Sequence, residues 1–541
     1  MSTPVLLRGG TVVDGTGRPS RRADIGLAGG LIVDAASIDR STATVIDVGG
    51  LVVSPGFIDV HTHSDAVGLQ SGDAAAPSDL VIAAARQGVT TEIAGNCGYS
   101  IFPSAHHPEF ESSLREFSET LLGTGARPGA DIADFRRRHD ASRRLNNITS
   151  LVGHSTMRAA VMGFAQRAAS RAETDELCAV LDAQLRGGAV GWSSGLIYPP
   201  GTYATTAELV ALGRVSAAHA APYVTHLRDE MSQVEAALQE ALQVARQSGT
   251  SLHVSHHKTA GRFSAGKSVH TLAMMDEARA DGIDVTCDVY PYVAGSTHLH
   301  ALLPPWVAEG GFRSMFQRLA DPAARERMRT EIVTGIAGWE NTVGNGGWDR
   351  IDVATAATRP SAEGHSITLL AARAGRDPVD YVCELLQAES GQVTIISHSM
   401  DESDMRRVLA HPGTMVGSDG VPKGGKPHPR WAGTFARVLG RYVRELGVLE
   451  LEDAVHRMTA RPAARFGLAG RGVLASGKVA DIAVFDPDTV LDQATFQDPM
   501  LHPLGVHHVF VAGQEVLRRQ RPTGATPGAA LHRLAGIRSL A

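Results

Sequence analysis

Apolar and polar positions change rhythm along the chain, and each rhythm predicts a different architecture. From Val5 to Val33, short apolar runs are separated by Gly9-Gly10, Asp14-Gly15 and Gly29-Gly30. Such punctuation between apolar runs marks β-hairpins. The end of the chain repeats the pattern in Gly477–Phe485 and Val506–Gly513. The simplest topology folds 1–54 and 467–541 into one small β-sandwich, split by everything between them. The middle, 55–466, alternates strand-like runs with Ala/Leu/Glu/Arg-rich helical stretches such as Thr206–Ala220 and Ser232–Ser248. The runs are Gly88–Ala94, Ile148–Gly153, Ala189–Ser193, Tyr223–Thr225, Leu252–Ser255, Ile283–Tyr290, Val393–Ser397 and Thr414–Ser418. Strand–helix alternation at about 30 residues per unit predicts a parallel sheet. With about eight units, the fold class is α/β and the leading architecture a (β/α)8 TIM-like barrel. Residues 304–390 break the rhythm, carry Trp306, Trp339 and Trp348, and read as an inserted subdomain or lid.

The chain has 541 residues, more than one domain usually needs, which suits a barrel with an accessory domain. Its 43% hydrophobic and 20% charged residues are ordinary for a soluble enzyme. A net charge of −6 without basic runs implies neither a nucleic-acid nor a membrane partner. No signal peptide is visible at the N-terminus, and no run reaches the ~18 apolar residues of a membrane span. Four scattered cysteines without CxxC spacing fit a reducing cytoplasm, so a cytoplasmic location is expected. The tail from Arg518 is Arg/Pro/Gly-rich and is expected to wrap the surface.

The candidate chemistry sits just after the apolar runs, which in a barrel converge on the C-terminal mouth. His61 and His63 follow the first run, and residues i and i+2 of a strand face one side. Two imidazoles aimed into one space can grip a first-row metal. Cys97, in Gly95-Asn-Cys-Gly98, offers a soft thiolate able to bridge two metals, with glycines that allow close approach to a ligand. His226 and His256 lie one strand–helix unit apart. His257 is expected to face away from His256, and His253 to be structural. Asp419, in Gly417-Ser-Asp-Gly420, could bind a metal and hold a proton.

Together these segments resemble the amidohydrolase superfamily, and within it the D-aminoacylase (N-acyl-D-amino-acid deacylase) family. Further matching segments are Gly153-His-Ser-Thr-Met-Arg158, Ser194–Gly201, Thr225-His-Leu-Arg-Asp-Glu230, Asp288-Val-Tyr-Pro-Tyr292 and His428–Phe435. The resemblance runs over nearly the whole chain. It implies Zn2+ held tightly by Cys97, His226 and His256, with a second, weaker site at His61 and His63. It also implies that Asp419 is the general acid/base and that the small-molecule partner is an N-acyl-D-amino acid. The implied reaction is attack of zinc-activated water on the amide carbonyl, with Asp419 carrying the proton to the leaving amine. Preference for D over L rests on the resemblance alone.

Such a substrate keeps its α-carboxylate, and Lys258, Arg430, Tyr290 and Tyr292 are the candidates to hold it, with Ser296 and Tyr198 behind them. His154 and His398 read as structural. The stretch Gly295–Trp306 contains no Arg or Lys, which predicts apolar D-side chains over acidic ones, although His298 and His300 lie within it. The alternative is a cyclic-amide hydrolase (hydantoinase or dihydroorotase), which would call for a bridging lysine where this chain has Cys97. A non-catalytic scaffold is disfavoured, since all six metal and acid/base positions are intact. The sequence does not set the oligomeric state.

Overall fold

Eight parallel strands ring the centre of the molecule. They are β1 (Phe57–Asp59), β2 (Val89–Ala94), β3 (Asn147–Ser150 continuing to Val152–Gly153), β4 (Trp192–Gly195), β5 (Tyr223–His226), β6 (Leu252–Val254), β7 (Val285–Val289) and β8 (Thr414–Val416). The structure is a computed structural model and describes residues 3–67, 69, 78–123 and 125–533. Two ladders, β1-β2-β3 and β3-β4-β5-β6-β7-β8, make up the ring. They share β3, where Leu151 N bonds Ala94 O at 2.9 Å on one side and Val152 N bonds Gly191 O at 3.0 Å on the other. Beyond the tips of β8 and β1, Asp419 N donates to His61 O (2.7 Å) and His63 N to Gly420 O (2.9 Å). That junction is one bridge rather than a ladder, and it ties together two of the segments that carry candidate chemistry.

Most of these strands are buried on both faces, as expected where helices cover a parallel sheet. The helices show why they form. Helix Arg171–Arg186 starts with a reciprocal capping box between Ser170 and Glu173. Helix Val234–Ser248 buries Val234, Leu238, Ala241, Leu242 and Ala245 on one stripe and stops at left-handed Gly249.

Val393–Ser397 is not a barrel strand. Thr394–Ser397 pairs antiparallel with both Gly295–His298 and Ile351–Thr355 in a separate three-stranded sheet. An apolar run has no direction, so its partners alone distinguish a barrel strand from this one, and β1 completes the ring instead. Helix Ile367–Ala374 packs beside Ile351–Thr355, and helices Phe312–Ala320, Pro322–Thr334 and Pro378–Ala388 pack on one another and share one apolar cluster with the sheet. Their apolar cluster runs on into Cys97, Tyr99 and Tyr198 at the barrel mouth.

Strands from both chain ends share one nine-stranded sheet, joined where Val52–Pro55 pairs with Ile482–Phe485. It encloses an apolar cluster that includes Leu7, Ile25, Val53, Ile482 and Phe510. The tail crosses the opposite end of the barrel, with Leu531 N on Ile148 O (2.7 Å) and Arg533 N on Gly188 O (3.0 Å). Among the described residues no helix is long and apolar enough to cross a membrane.

Candidate active site

The barrel mouth gathers its polar side chains by making the backbone turn sharply just past the strand tips. Cys97 (φ 53°), His256 (φ 35°) and Asp419 (φ 49°) all occupy the left-handed region. Non-glycine residues there are uncommon and are held only by surrounding structure. For Cys97 that structure is glycine-dependent. A Cβ on Gly195 would lie 2.2 Å from Cys97 O, and one on Gly95 2.2 Å from Leu151 O. The close approach made by these glycines is to neighbouring backbone.

Two donor sets share Cys97: His61, His63 and Asp419 on one side, His226 and His256 on the other. In each set the donor atoms lie within 4.8 Å of one another. Cys97 Sγ is 3.4 Å from both His61 Nε2 and His256 Nε2. Asp419 Oδ1 is 3.4 Å from His61 Nε2 and 3.2 Å from His63 Nε2. A tetrahedron with metal–ligand bonds of about 2.0–2.3 Å has edges of about 3.3–3.8 Å, so the spacing suits a metal with N, S and O ligands. His226 Nδ1 finds no hydrogen-bond partner among the described residues, and its Nε2 lies 3.4 Å from Glu230 Oε2. A buried imidazole nitrogen without a partner is costly unless something else ligates the ring.

The electrostatics point the same way. Burial opposes ionisation of the Cys97 thiol, but His61, His256 and His226 outweigh it and hold the thiol well below its ordinary range. Burial likewise opposes ionisation of Asp419, and Arg430, His61, His256 and His63 overcome it, so the carboxylate is charged. Arg430 Nη1 pairs with Asp419 Oδ2 at 2.8 Å, which leaves Oδ1 facing the histidines. Arg430 is fully buried, stacks on Tyr290 at 4.6 Å and donates to Ser296 O. Its guanidinium thus ties Asp419 to Tyr290 and Ser296, two residues of the cavity wall.

Lys258, Tyr290, Ser296 and Tyr198 do line the cavity above the donors, with Leu121, Leu122, Ile197, Ala301 and Leu302 as its apolar wall. Lys258 Nζ bonds Glu230 Oε2 at 2.5 Å and approaches His256 Nδ1 at 2.9 Å. Tyr198 Oη meets Thr297 Oγ1 at 3.0 Å. Tyr292 is not brought to the cavity. Its ring stacks under Arg437 at 4.7 Å, beside Asp492, because the chain past β7 turns tightly, with Tyr292 N on Tyr290 O at 2.9 Å, and strand alternation no longer applies. His257 turns away to Thr271 (2.8 Å), His154 pairs with Glu208 (2.8 Å) and His398 with Asp352 (3.0 Å).

Three acidic residues were not assigned from the sequence. Asp288 Oδ2 contacts His253 Nε2 (2.9 Å) and His61 Nδ1 (3.5 Å), while its Oδ1 accepts from His256 N (3.0 Å). It orients two donors at once and gives His253 its partner. Glu230 Oε1 lies 3.0 Å from His256 Nδ1, and Glu340, from the inserted segment, accepts from Glu230 N at 2.6 Å. Burial and the nearby Glu230 push the Glu340 carboxyl up to about 8. Glu230, four residues after His226 and next to Asp229, carried a signal in its spacing; Glu340 carried none.

Comparison with known proteins agrees with this geometry. Residues 44–517 match the amidohydrolase family. A D-aminoacylase of Alcaligenes xylosoxydans xylosoxydans is 39% identical over 533 residues, 98% of each chain. An N-acyl-D-glutamate deacylase of the same organism is 38% identical, covering 98% of this chain and 97% of the relative. The crystal structure of the N-acyl-D-glutamate deacylase from Bordetella bronchiseptica, complexed with zinc and a phosphonate inhibitor, superposes with a TM-score of 0.82. It has 37% identity and covers 98% of this chain and all of that one. Dihydropyrimidinase from Brevibacillus agri, at 16% identity and a TM-score of 0.55, shares the fold alone. The chain is a member of the amidohydrolase family, in its D-aminoacylase branch.

Proposed function

We propose that this protein hydrolyses the amide bond of N-acyl-D-amino acids, releasing a carboxylic acid and a free D-amino acid. The observation that carries the reading is the pair of donor sets sharing Cys97 beneath a cavity with an apolar wall. Cys97, His226 and His256 would hold a tightly bound zinc, and His61 and His63 a second, weaker one. Zinc bound there supplies the Lewis acidity that acidifies water and polarises the amide carbonyl. The chain's residues do the rest. Asp419, ionised and fixed on one side by Arg430, accepts the proton of the attacking water on Oδ1. It then returns that proton to the leaving amine nitrogen. The α-carboxylate meets Lys258, the Tyr290 hydroxyl and Ser296, while Leu121, Ile197 and Leu302 favour an apolar D-side chain. Asp288 and Glu230 keep His61 and His256 aimed, so donor positions are set before substrate arrives.

The test is steady-state hydrolysis by zinc-loaded protein of N-acetyl-D-Met, N-acetyl-L-Met, N-acetyl-D-Glu and a hydantoin. Turnover of N-acetyl-D-Met, lost in Asp419→Asn, is expected. Cleavage of the hydantoin alone would sink the substrate class.

A further inference from the structure

Among the described residues, Lys423 is a cation without a counter-charge at the edge of this cavity. It lies four residues beyond Asp419, and its Nζ makes one hydrogen bond, to Thr120 O at 3.2 Å. An ammonium has three donors. Among the described residues no carboxylate pairs with it. Its side chain lines a side pocket with Ala66, Val67, Val81 and Pro422, and that pocket shares His63, Leu121, Leu122 and Val421 with the main cavity. Burial lowers the ammonium to about 8. His298 and His300 sit within its field: burial first, and then Lys423, hold His298 well below its ordinary value and bring His300 to about 4. Both rings are therefore neutral, 5.5 Å apart, and the buried Nδ1 of each has no hydrogen-bond partner. A cation that meets no anion among the described residues, in a side pocket that opens on the main cavity, makes a receptor for a negatively charged ligand group.

We propose that Lys423 receives a second substrate carboxylate, one additional to the α-carboxylate. The inference rests on the proposed hydrolysis of N-acyl-D-amino acids. Two parts of a substrate could carry that group, the acyl chain or the D-side chain. The position favours the acyl chain. Lys258 follows β6 and Tyr290 follows β7, whereas the walls of the side pocket come mainly from segments after β1 and β2, across the ring. An α-carboxylate held near Lys258 sends the acyl group over the donors toward His63 and the side pocket. The substrate class is thus an N-acyl-D-amino acid whose acyl group is a dicarboxylic acid, with an apolar amino-acid side chain on the Leu302 wall.

Calorimetric titration of zinc-loaded protein with succinate and with butyrate tests the receptor without requiring turnover. Succinate is expected to bind at least ten-fold tighter than butyrate in the wild type, with the difference falling to within two-fold in Lys423→Met and kept in Lys423→Arg. Equal affinities in the wild type overturn the inference even if the methionine variant fails to fold. Kinetics then assign the source. The kcat/KM ratio of N-succinyl-D-Leu to N-acetyl-D-Leu should fall at least ten-fold in Lys423→Met. A fall confined to N-acetyl-D-Glu would overturn the acyl assignment in favour of the side chain. Hydrolysis of no N-acyl-D-amino acid would overturn the proposed function, while the succinate–butyrate difference would still decide for or against the receptor.

Discussion

The floor and the wall of the cavity are built differently. The floor donors, His61, His63, Cys97, His226, His256 and Asp419, all lie at or just past the tips of barrel strands, and their backbone is tied to neighbouring strands by hydrogen bonds. The wall comes from outside the barrel strands: Leu121 at the end of helix Glu111–Leu122, His298 at the end of strand Gly295–His298, and Ile197, Leu302, Glu340 and Lys423 from the connections and the inserted segment. A strand tip cannot move without breaking ladder bonds, whereas a loop residue can change with little effect on the barrel. Chemistry should therefore be concentrated in the floor and selectivity in the wall.

Cys97→Ala is the harshest way to break that division, because it removes a donor from both sets. Metal analysis after dialysis should find zinc near background, with kcat/KM below that of any other single variant. Asp419→Asn should lower kcat by about 10²–10⁴-fold, the usual worth of a general acid/base. If it also stripped zinc from the tight site, Asp419 would be a ligand first and a proton carrier second. Asp288→Asn, one layer behind the donors, should cost about 10–100-fold in zinc affinity or activity; an unchanged affinity would show that His61 and His256 need no such support.

Wall changes should be smaller and selective. Raising the pH from 7 to 9 should lower the N-succinyl-D-Leu to N-acetyl-D-Leu ratio about tenfold, since Lys423 is charged below about 8 and neutral above it. His298 and His300, whose pKa values lie below the ordinary imidazole range, are already neutral across that range. In Lys423→Met the ratio should be flat with pH. Leu302→Ala should reduce kcat/KM for N-acetyl-D-Leu by no more than about tenfold, with zinc content intact. A larger loss of kcat would mean that the wall also aligns the reacting groups.

By itself the sequence determined the alternation that makes a parallel barrel, the meeting of the two chain ends, and the polar residues that follow the strands. Those are consequences of local periodicity. His61 and His63 share a face because strand side chains repeat every two residues. Only the tertiary structure decided what those residues meet. Val393–Ser397 looks like a barrel strand until its antiparallel partners are known. The 2.8 Å pairing of Arg430 with Asp419 appears only once the ring brings the two segments together. Asp288 stands 227 residues from His61, and Lys423 stands more than a hundred from His298; neither pairing leaves a mark in local spacing. Periodicity is set by neighbours along the chain, whereas charge pairing and cavity shape are set by which strand tips the closed ring makes adjacent.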